Sequence, residues 1–183
     1  LGVIYIVRDP RNVIISLKHH YSFKNYDEAL KFMLDKHRFS GKMGKKETFT
    51  RETEFPTYIS NWHNHYNSWK NFKKNYLLIK YEDLIKNPKV NFKEVTKYLS
   101  KLLKIKIDEE DLDDAILKSS FKNLKQSEEK FGFSEAAPDK ITNRKKKFFN
   151  LGPDNMWEED LPVNIRKKIE STFNEEMKEL NYL

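Results

Sequence analysis

Residues 3–16 read VIYIVRDPRNVIIS, and this stretch decides the fold. The apolar run Val3–Val7 is rich in β-branched side chains and predicts a buried parallel strand. The next four residues predict a turn, in which Pro10 favours the start of a helix. The helix predicted over 11–22 has an apolar face formed by Val13, Ile14 and Leu17. The stretch therefore predicts a strand, a tight turn and a helix, which is half of a βαβ unit.

The length and composition indicate one domain with an excess of basic residues. The chain has 183 residues, 38% of them hydrophobic, enough for a sizeable core. Its 35 Lys and Arg against 28 Asp and Glu give a formal charge of +7. This excess indicates an anionic partner, namely a nucleic acid, an acidic membrane or a phosphorylated small molecule, or else a Lys-rich solvated surface. The lack of cysteine excludes disulfides and thiolate metal sites, and no apolar run has the length of a membrane span.

The rest of the chain predicts a second strand, several amphipathic helices and two surface loops. The second strand is predicted at Tyr76–Tyr81, and the loops at 40–54 and 125–147. Apolar residues at helical spacing predict a closing helix through Ile165, Ile169, Phe173 and Met177. An aromatic stripe predicted to lie in the core comprises Ile59, Trp62, Tyr66 and Trp69. There is no internal repeat and no domain boundary, so we expect one domain over 1–183.

Two side chains in the opening stretch are candidates for binding an anion. Arg8 lies where the first strand ends, at the edge where α/β folds bind ligands. Ser16 lies two turns into the following helix. A guanidinium and a hydroxyl converging from turn and helix can hold a phosphate, and the helix N-terminus adds its positive dipole end. Taken alone, an Arg at a strand end is equally compatible with a surface salt bridge.

The same stretch resembles the 3′-phosphate-binding segment of the cytosolic type of sulfotransferase. These enzymes use 3′-phosphoadenosine 5′-phosphosulfate (PAPS) as the sulfuryl donor and release adenosine 3′,5′-bisphosphate (PAP). In that family an Arg at the strand end and a Ser eight residues later bind the 3′-phosphate. Arg8 and Ser16 match those two positions.

Three further segments resemble the family in the same order along the chain. Residues 78–84 are similar to the strand that ends in Tyr-Glu-Asp, which implies that Tyr81 contacts the adenine. Residues 119–121 are similar to its Thr-Ser-Phe segment, which implies that Ser119 and Phe121 lie along the nucleotide. Residues 148–152, with a Trp at 157, are similar to its Phe-Met-Arg-Lys-Gly segment, and Gly152 is the matching glycine. The resemblance extends over nearly the whole chain.

The sequence departs from the family where two cations should meet the 3′-phosphate. Asn150 and Leu151 stand at those positions, and only Gly152 is retained. One hypothesis is that the basic run Arg144–Lys147 supplies the charge instead, and the alternative is that this run is simply solvated. Under the first hypothesis, we expect the loop over 125–147 to act as a lid that becomes ordered when the donor binds.

The resemblance implies an α/β fold, a parallel sheet flanked by helices of the P-loop-like sulfotransferase type. Because the chain opens directly in a strand, we expect the N-terminal part of this fold to be missing. The resemblance also implies that the catalytic His and the Lys-bearing phosphosulfate loop precede Leu1, so that no catalytic residue falls in this chain and the 183 residues alone are inactive. His19 and His20 follow the phosphate-binding helix, where His20 is either a pocket residue or an ordinary residue at a helix end.

The activity implied is transfer of a sulfuryl group from PAPS to a hydroxyl or amine of a small-molecule acceptor, in a cytoplasmic protein with no membrane or nucleic-acid partner. Two other classes stay open on the residues alone. A nucleotide-dependent phosphotransferase would need a Gly-Lys-Ser/Thr loop, which is not present in these residues. A nucleic-acid-binding domain would need cations clustered on one face, whereas here they are interleaved with acidic residues. No metal-ligand spacing is found, and the sequence does not fix the oligomeric state or the acceptor.

Overall fold

The computed structural model describes residues 1–40, 57–72, 74–136, 138–139 and 144–183. Most of the loop predicted at 40–54 therefore lies outside the described residues. The elements in chain order are β1 (Val3–Val7), α1 (Pro10–His20), α2 (Tyr26–Leu34), β2 (Phe39–Ser40), β3 (Thr57–Tyr58), α3 (Trp62–Lys70), β4 (Tyr76–Lys80), α4 (Tyr81–Lys86), α5 (Pro88–Leu103), α6 (Glu109–Lys118), α7 (Phe121–Phe131), a 3-10 turn (Gly152–Asp154), α8 (Trp157–Asp160), α9 (Val163–Thr172) and α10 (Asn174–Glu179).

The central feature is a parallel pair of strands. β1 pairs with β4 in parallel register, from Val3 opposite Tyr76 to Val7 opposite Lys80. The crossover between them runs through α1, α2 and α3, so the fold is α/β with a parallel sheet and flanking helices, as predicted. The short strands β2 and β3 form a separate antiparallel pair within the crossover. Both strands of the parallel pair lead directly into helices at their carboxyl ends, which creates the edge where α/β proteins bind ligands.

The turn between β1 and α1 has the local chemistry that the sequence predicted. Asp9 caps α1, because its carboxylate accepts a hydrogen bond from the backbone N–H of Arg11 at 2.8 Å. Pro10 occupies the first helical position, where its missing N–H costs nothing. The Arg11 guanidinium forms ion pairs with Asp9 at 2.6 Å and with Glu170 at 2.8 Å. It also donates a hydrogen bond to the backbone carbonyl of Tyr182. This buried network joins the start of α1 to the C-terminal helices.

The main hydrophobic core lies between α1 and the C-terminal helices. It contains residues of α1, α2, α9 and α10 and two residues that flank these helices: Ile14, Ile15, Ala29, Met33, Leu161, Ile165, Ile169, Phe173 and Met177. A smaller cluster of Val7, Tyr66 and Leu180 packs next to β1. Burial of Ile14 and Ile15 in the main core fixes α1, and therefore the residues on its exposed side, in a rigid frame. None of the helices in the described ranges is both long and apolar enough to cross a membrane.

Apart from the bounds of α1, which spans Pro10–His20 rather than residues 11–22, four predicted features differ from those observed. The closing helix is broken into α9 and α10 at Phe173, whose backbone (φ −111°, ψ 26°) leaves the helical region while its buried ring stays in the core. The second strand ends at Lys80 rather than Tyr81, because Tyr81 begins α4. Trp69 of the aromatic stripe is 40% exposed, although Tyr66 is buried as predicted.

The fourth difference concerns the loop predicted over 125–147. Residues 125–131 belong to α7, which Ser120 caps by accepting from the backbone N–H of Asn123. Capping and the helical spacing of its apolar residues outweigh the high charge that suggested a loop. Residues 137 and 140–143 of the predicted loop lie outside the described residues.

Candidate functional site

A cavity of about 570 Å³ opens where β1 and β4 end. Its walls come from α1, α4, the junction of α6 and α7, and the segment 146–155. All six candidate binding residues line it: Arg8, Ser16, Tyr81, Ser119, Phe121 and Gly152. The fold therefore gathers onto one surface side chains that are up to 144 residues apart in the chain. The volume is within the usual range for a small-molecule site.

Arg8 is held at the end of β1 with part of its hydrogen-bonding capacity unused. Its Nη2 donates to the carbonyl of Gly152 at 3.1 Å, and its guanidinium lies 4.2 Å from the ring centroid of Tyr81. Its buried Nε has no hydrogen-bond partner among the described residues. No carboxylate in the described ranges forms an ion pair with Arg8, so the alternative of a surface salt bridge is not observed there. A preorganised cation of this kind on a cavity wall favours an anionic ligand.

Ser16 lies on the face of α1 that is turned toward the cavity, and it is exposed. Its hydroxyl oxygen accepts a hydrogen bond from the side-chain amide of Asn155 at 3.0 Å. Sequence reasoning missed Asn155, because a single Asn between a turn and a short helix carries no pattern that points to a site. Ser16 and Arg8 therefore face the same space from a helix and a strand end.

An aromatic wall stands beside these polar groups. Gly152 has a φ of +57°, and a Cβ at this position would overlap the ring of Phe121, so only glycine allows this close approach. The Phe121 ring makes an edge contact with Phe149 at 6.1 Å between centroids. Tyr81 lines the same cavity. Flat aromatic surfaces of this kind suit a nucleobase, which stacks on rings with little demand for hydrogen bonds.

Ser119 contributes less polar chemistry than its position in the motif suggests. Its hydroxyl donates to the carbonyl of Ala115 at 2.7 Å, at the end of α6. Because the hydroxyl proton of Ser119 is already used in this bond, its oxygen can only accept a hydrogen bond from a ligand in the cavity. Ser120, next to it, caps α7 and does not line the cavity.

The basic run divides into residues that line the cavity and residues that do not. Lys146 and Lys147 line it, whereas Arg144 and Lys145 are not among the lining residues. Lys146 Nζ donates to the carbonyl of His19 at 2.6 Å, and Lys147 pairs with Glu129 at 2.8 Å. Asn150 and Leu151, which stand where the family carries its two cations, also line the wall.

Two of the five histidines line the cavity, namely His19 and His20. Removal from water lowers the pKa of His20, and the positive charges of His19 and Lys146 lower it further. We therefore expect His20 to be neutral near pH 7. His20 is the last residue of α1 and lies on the cavity wall. Within the described ranges, no group of three or more His, Asp and Glu side chains is arranged to hold a metal ion.

Comparisons with known proteins identify the family of this chain. The family model described as the sulfotransferase domain matches residues 1–181. The chain is 26% identical over 180 residues to sulfotransferase 2A1 of Macaca fascicularis, covering 97% of this chain and 57% of that protein. It is 24% identical over 181 residues to 3-beta-hydroxysteroid sulfotransferase of Cavia porcellus, covering 96% of this chain and 55% of that protein. The chain thus spans a little more than half the length of these curated relatives.

Two solved structures share the fold. Mouse sulfotransferase SULT7A1, complexed with PAP, aligns with a TM-score of 0.65 and 20% identity, over 96% of this chain and 58% of that one. Retinol dehydratase, in a complex with retinol and PAP, aligns with a TM-score of 0.64 and 18% identity, over 97% of this chain and 48% of that one.

Proposed function

This chain belongs to the sulfotransferase family, and we propose that it forms the nucleotide-binding part of an enzyme that transfers a sulfuryl group from PAPS to a small-molecule acceptor. PAPS supplies the activated sulfuryl group, which passes to a hydroxyl or amine, and PAP leaves. The family match does not support the two other classes left open by the residues, a phosphotransferase and a nucleic-acid-binding domain. A cytoplasmic location rests on the resemblance to the cytosolic type alone.

The observation that carries the proposal is the convergence of Arg8 and Ser16 on one cavity beside an aromatic wall. Arg8 supplies a fixed positive charge with unused donors, and Ser16 supplies a hydroxyl. Both suit a phosphate, since charge-assisted hydrogen bonds are the strongest that a protein forms with an anion. Tyr81 and Phe121 suit the adenine, and the φ of Gly152 lets the backbone come close to the ligand.

In this role the chain's residues bind and orient the donor and do not react with it. Anchoring PAPS at its 3′-phosphate, remote from sulfur, fixes the position of the reacting end. Binding energy from this remote group is then available to lower the barrier of the transfer step. The proposal therefore predicts that loss of the 3′-phosphate contacts weakens PAP binding and also slows transfer.

The test is to measure the affinity of the intact protein for PAP and for adenosine 5′-phosphate by titration calorimetry. Arg8→Ala should weaken PAP binding roughly ten- to hundredfold, the value of a charged hydrogen bond of about 1.5–3 kcal/mol. Its effect on adenosine 5′-phosphate, which lacks the 3′-phosphate, should be much smaller. The matched control is Arg166→Ala, which removes the same charge from α9 away from the cavity. Equal weakening of both ligands by Arg8→Ala would refute the assignment to the 3′-phosphate.

A further inference from the structure

Asn155 connects the segment after Gly152 to the exposed side of α1. It lies at the end of the 3-10 turn, is only 3% exposed, and lines the same cavity as Ser16. We propose that Asn155 is a positioning residue that holds the Ser16 hydroxyl with its proton turned toward the 3′-phosphate of the donor. The proposal rests on the proposed function, because it concerns the same site.

The contacts of Asn155 fix the orientation of its side-chain amide. Its Nδ2 lies 3.0 Å from the backbone carbonyl of Asn12 and 3.0 Å from the hydroxyl oxygen of Ser16. A backbone carbonyl can only accept a hydrogen bond, so the group that faces Asn12 must be the NH₂ and not the oxygen. Since one N–H points at Asn12, the other points at Ser16. The Ser16 oxygen is therefore an acceptor in this pair.

This pairing leaves the proton of Ser16 available to a ligand. A Ser in a helix often donates to the carbonyl four residues earlier, which here is that of Asn12. That bond is at its outer limit of 3.5 Å, and Asn155 already donates to the same carbonyl. A phosphate oxygen in the cavity is the better acceptor. A hydroxyl that accepts one hydrogen bond is also polarised toward donating another.

Asn155 is held in this position from both sides. The Oδ1 of Asn12 accepts from the backbone N–H of Trp157 at 3.0 Å, so the two asparagines join α1 to residues 155–157 by reciprocal bonds. The Oδ1 of Asn155 is buried and has no hydrogen-bond partner among the described residues. A buried acceptor without a donor lowers stability. The stability of the fold alone therefore does not account for an amide side chain at position 155. The hydrogen bond that this amide donates to the Ser16 hydroxyl does account for it.

The experiment is a double-mutant cycle on the intact protein, with PAP affinity measured by titration calorimetry. Ser16→Ala should weaken PAP binding about tenfold, and Asn155→Ala about three- to tenfold. In the Ser16→Ala background, Asn155→Ala should have almost no further effect, because its partner is already gone. Affinity for adenosine 5′-phosphate should stay nearly unchanged in all variants. The matched control is Asn150→Ala, because Asn150 lines the same cavity. Whatever its effect on PAP affinity, that effect should be equal in the wild-type and Ser16→Ala backgrounds.

The outcomes separate this inference from the proposed function. If the wild-type protein binds PAP no more tightly than adenosine 5′-phosphate, the proposed function fails and this inference fails with it. If Ser16→Ala weakens PAP binding and Asn155→Ala does not, only this inference fails. This inference also fails if Asn155→Ala weakens the binding of PAP and of adenosine 5′-phosphate equally. It fails as well if Asn155→Ala keeps its full effect in the Ser16→Ala background. Either result indicates a purely structural role. If circular dichroism shows that Asn155→Ala does not fold, Asn155→Ser replaces it in the same cycle. The serine side chain is too short to reach both the Asn12 carbonyl and the Ser16 hydroxyl.

Discussion

His65 shows how the environment of one side chain sets its protonation. It is partly buried beside β1, and its Nδ1 lies 2.8 Å from the hydroxyl of Tyr5. Burial lowers the pKa of His65, and the nearby positive charge of Arg38 lowers it further. The folded protein therefore favours the neutral imidazole more than the unfolded chain does. Arg8 is the contrasting case, since its buried Nε has no hydrogen-bond partner among the described residues.

The depressed pKa of His65 predicts how stability changes with pH. Its stabilising contribution is present above its usual pKa of 6.5 and is lost as the pH falls below that value. We expect the free energy of unfolding, measured in urea, to fall between pH 6.5 and 5. His65→Gln should make this fall shallower, whereas His37→Gln, at an exposed position, should not. An unchanged slope in His65→Gln would contradict the prediction. His20, whose pKa is also lowered, accounts for part of the fall that remains.

At the scale of elements, α7 holds the segment that closes the cavity. The carboxylate of Glu128 accepts from the backbone N–H groups of Phe148 and Phe149, at 2.6 and 2.9 Å. Lys147 adds an ion pair with Glu129 on the same helix. These contacts position the aromatic wall and bring the end of the basic run to the cavity.

This arrangement predicts that neighbouring lysines affect nucleotide binding unequally. Lys146 is largely covered and lines the cavity, while Lys145 is exposed and does not. Lys146→Ala should therefore weaken PAP binding several-fold, on the scale of one charge-assisted hydrogen bond of about 1.5 kcal/mol, and should reduce its sensitivity to salt. Lys145→Ala is the matched control, with the same loss of charge one residue away. Equal effects of the two variants would indicate general attraction by the basic run rather than a specific contact.

At the scale of the whole molecule, Arg11 joins the two ends of the described chain. It connects the cap residue Asp9 to Glu170 of α9 and to the backbone carbonyl of Tyr182. Its guanidinium also lies 3.9 Å from the ring centroid of Trp157. The strand and helix that carry Arg8 and Ser16 are thereby fixed against the C-terminal helices that complete the core.

Loss of Arg11 should destabilise the entire fold. Arg11→Ala leaves the carboxylate of Asp9 buried without its partner, and breaking a buried pair in this way costs about 3–5 kcal/mol. Urea denaturation monitored by circular dichroism measures this loss. The control is Lys118→Ala, which removes an exposed pair with Asp114 and should leave the free energy of unfolding nearly unchanged. A loss below about 1 kcal/mol in Arg11→Ala would show that the network does not hold the two ends together.

Features that depend only on neighbouring residues along the chain were predictable from the sequence. The run from Val3 to Ser16 predicted strand, turn and helix, because β-branched residues and a Pro at the start of a helix act locally. The parallel α/β class followed from that pattern. The resemblance to the family also pointed to six of the residues that line the cavity, since each motif is a short local segment with a recognisable composition.

The tertiary structure decided what depends on contacts between distant segments. Asn155 meets Ser16 across 139 residues, and no local pattern marks such a pair. The break at Phe173 is equally invisible, because its apolar spacing continues through the break and only packing against the core shows where the helix axis changes. The sequence likewise did not show that Lys146 lines the cavity and the neighbouring Lys145 does not. Local propensity fixes which elements form, and packing fixes which of their side chains meet.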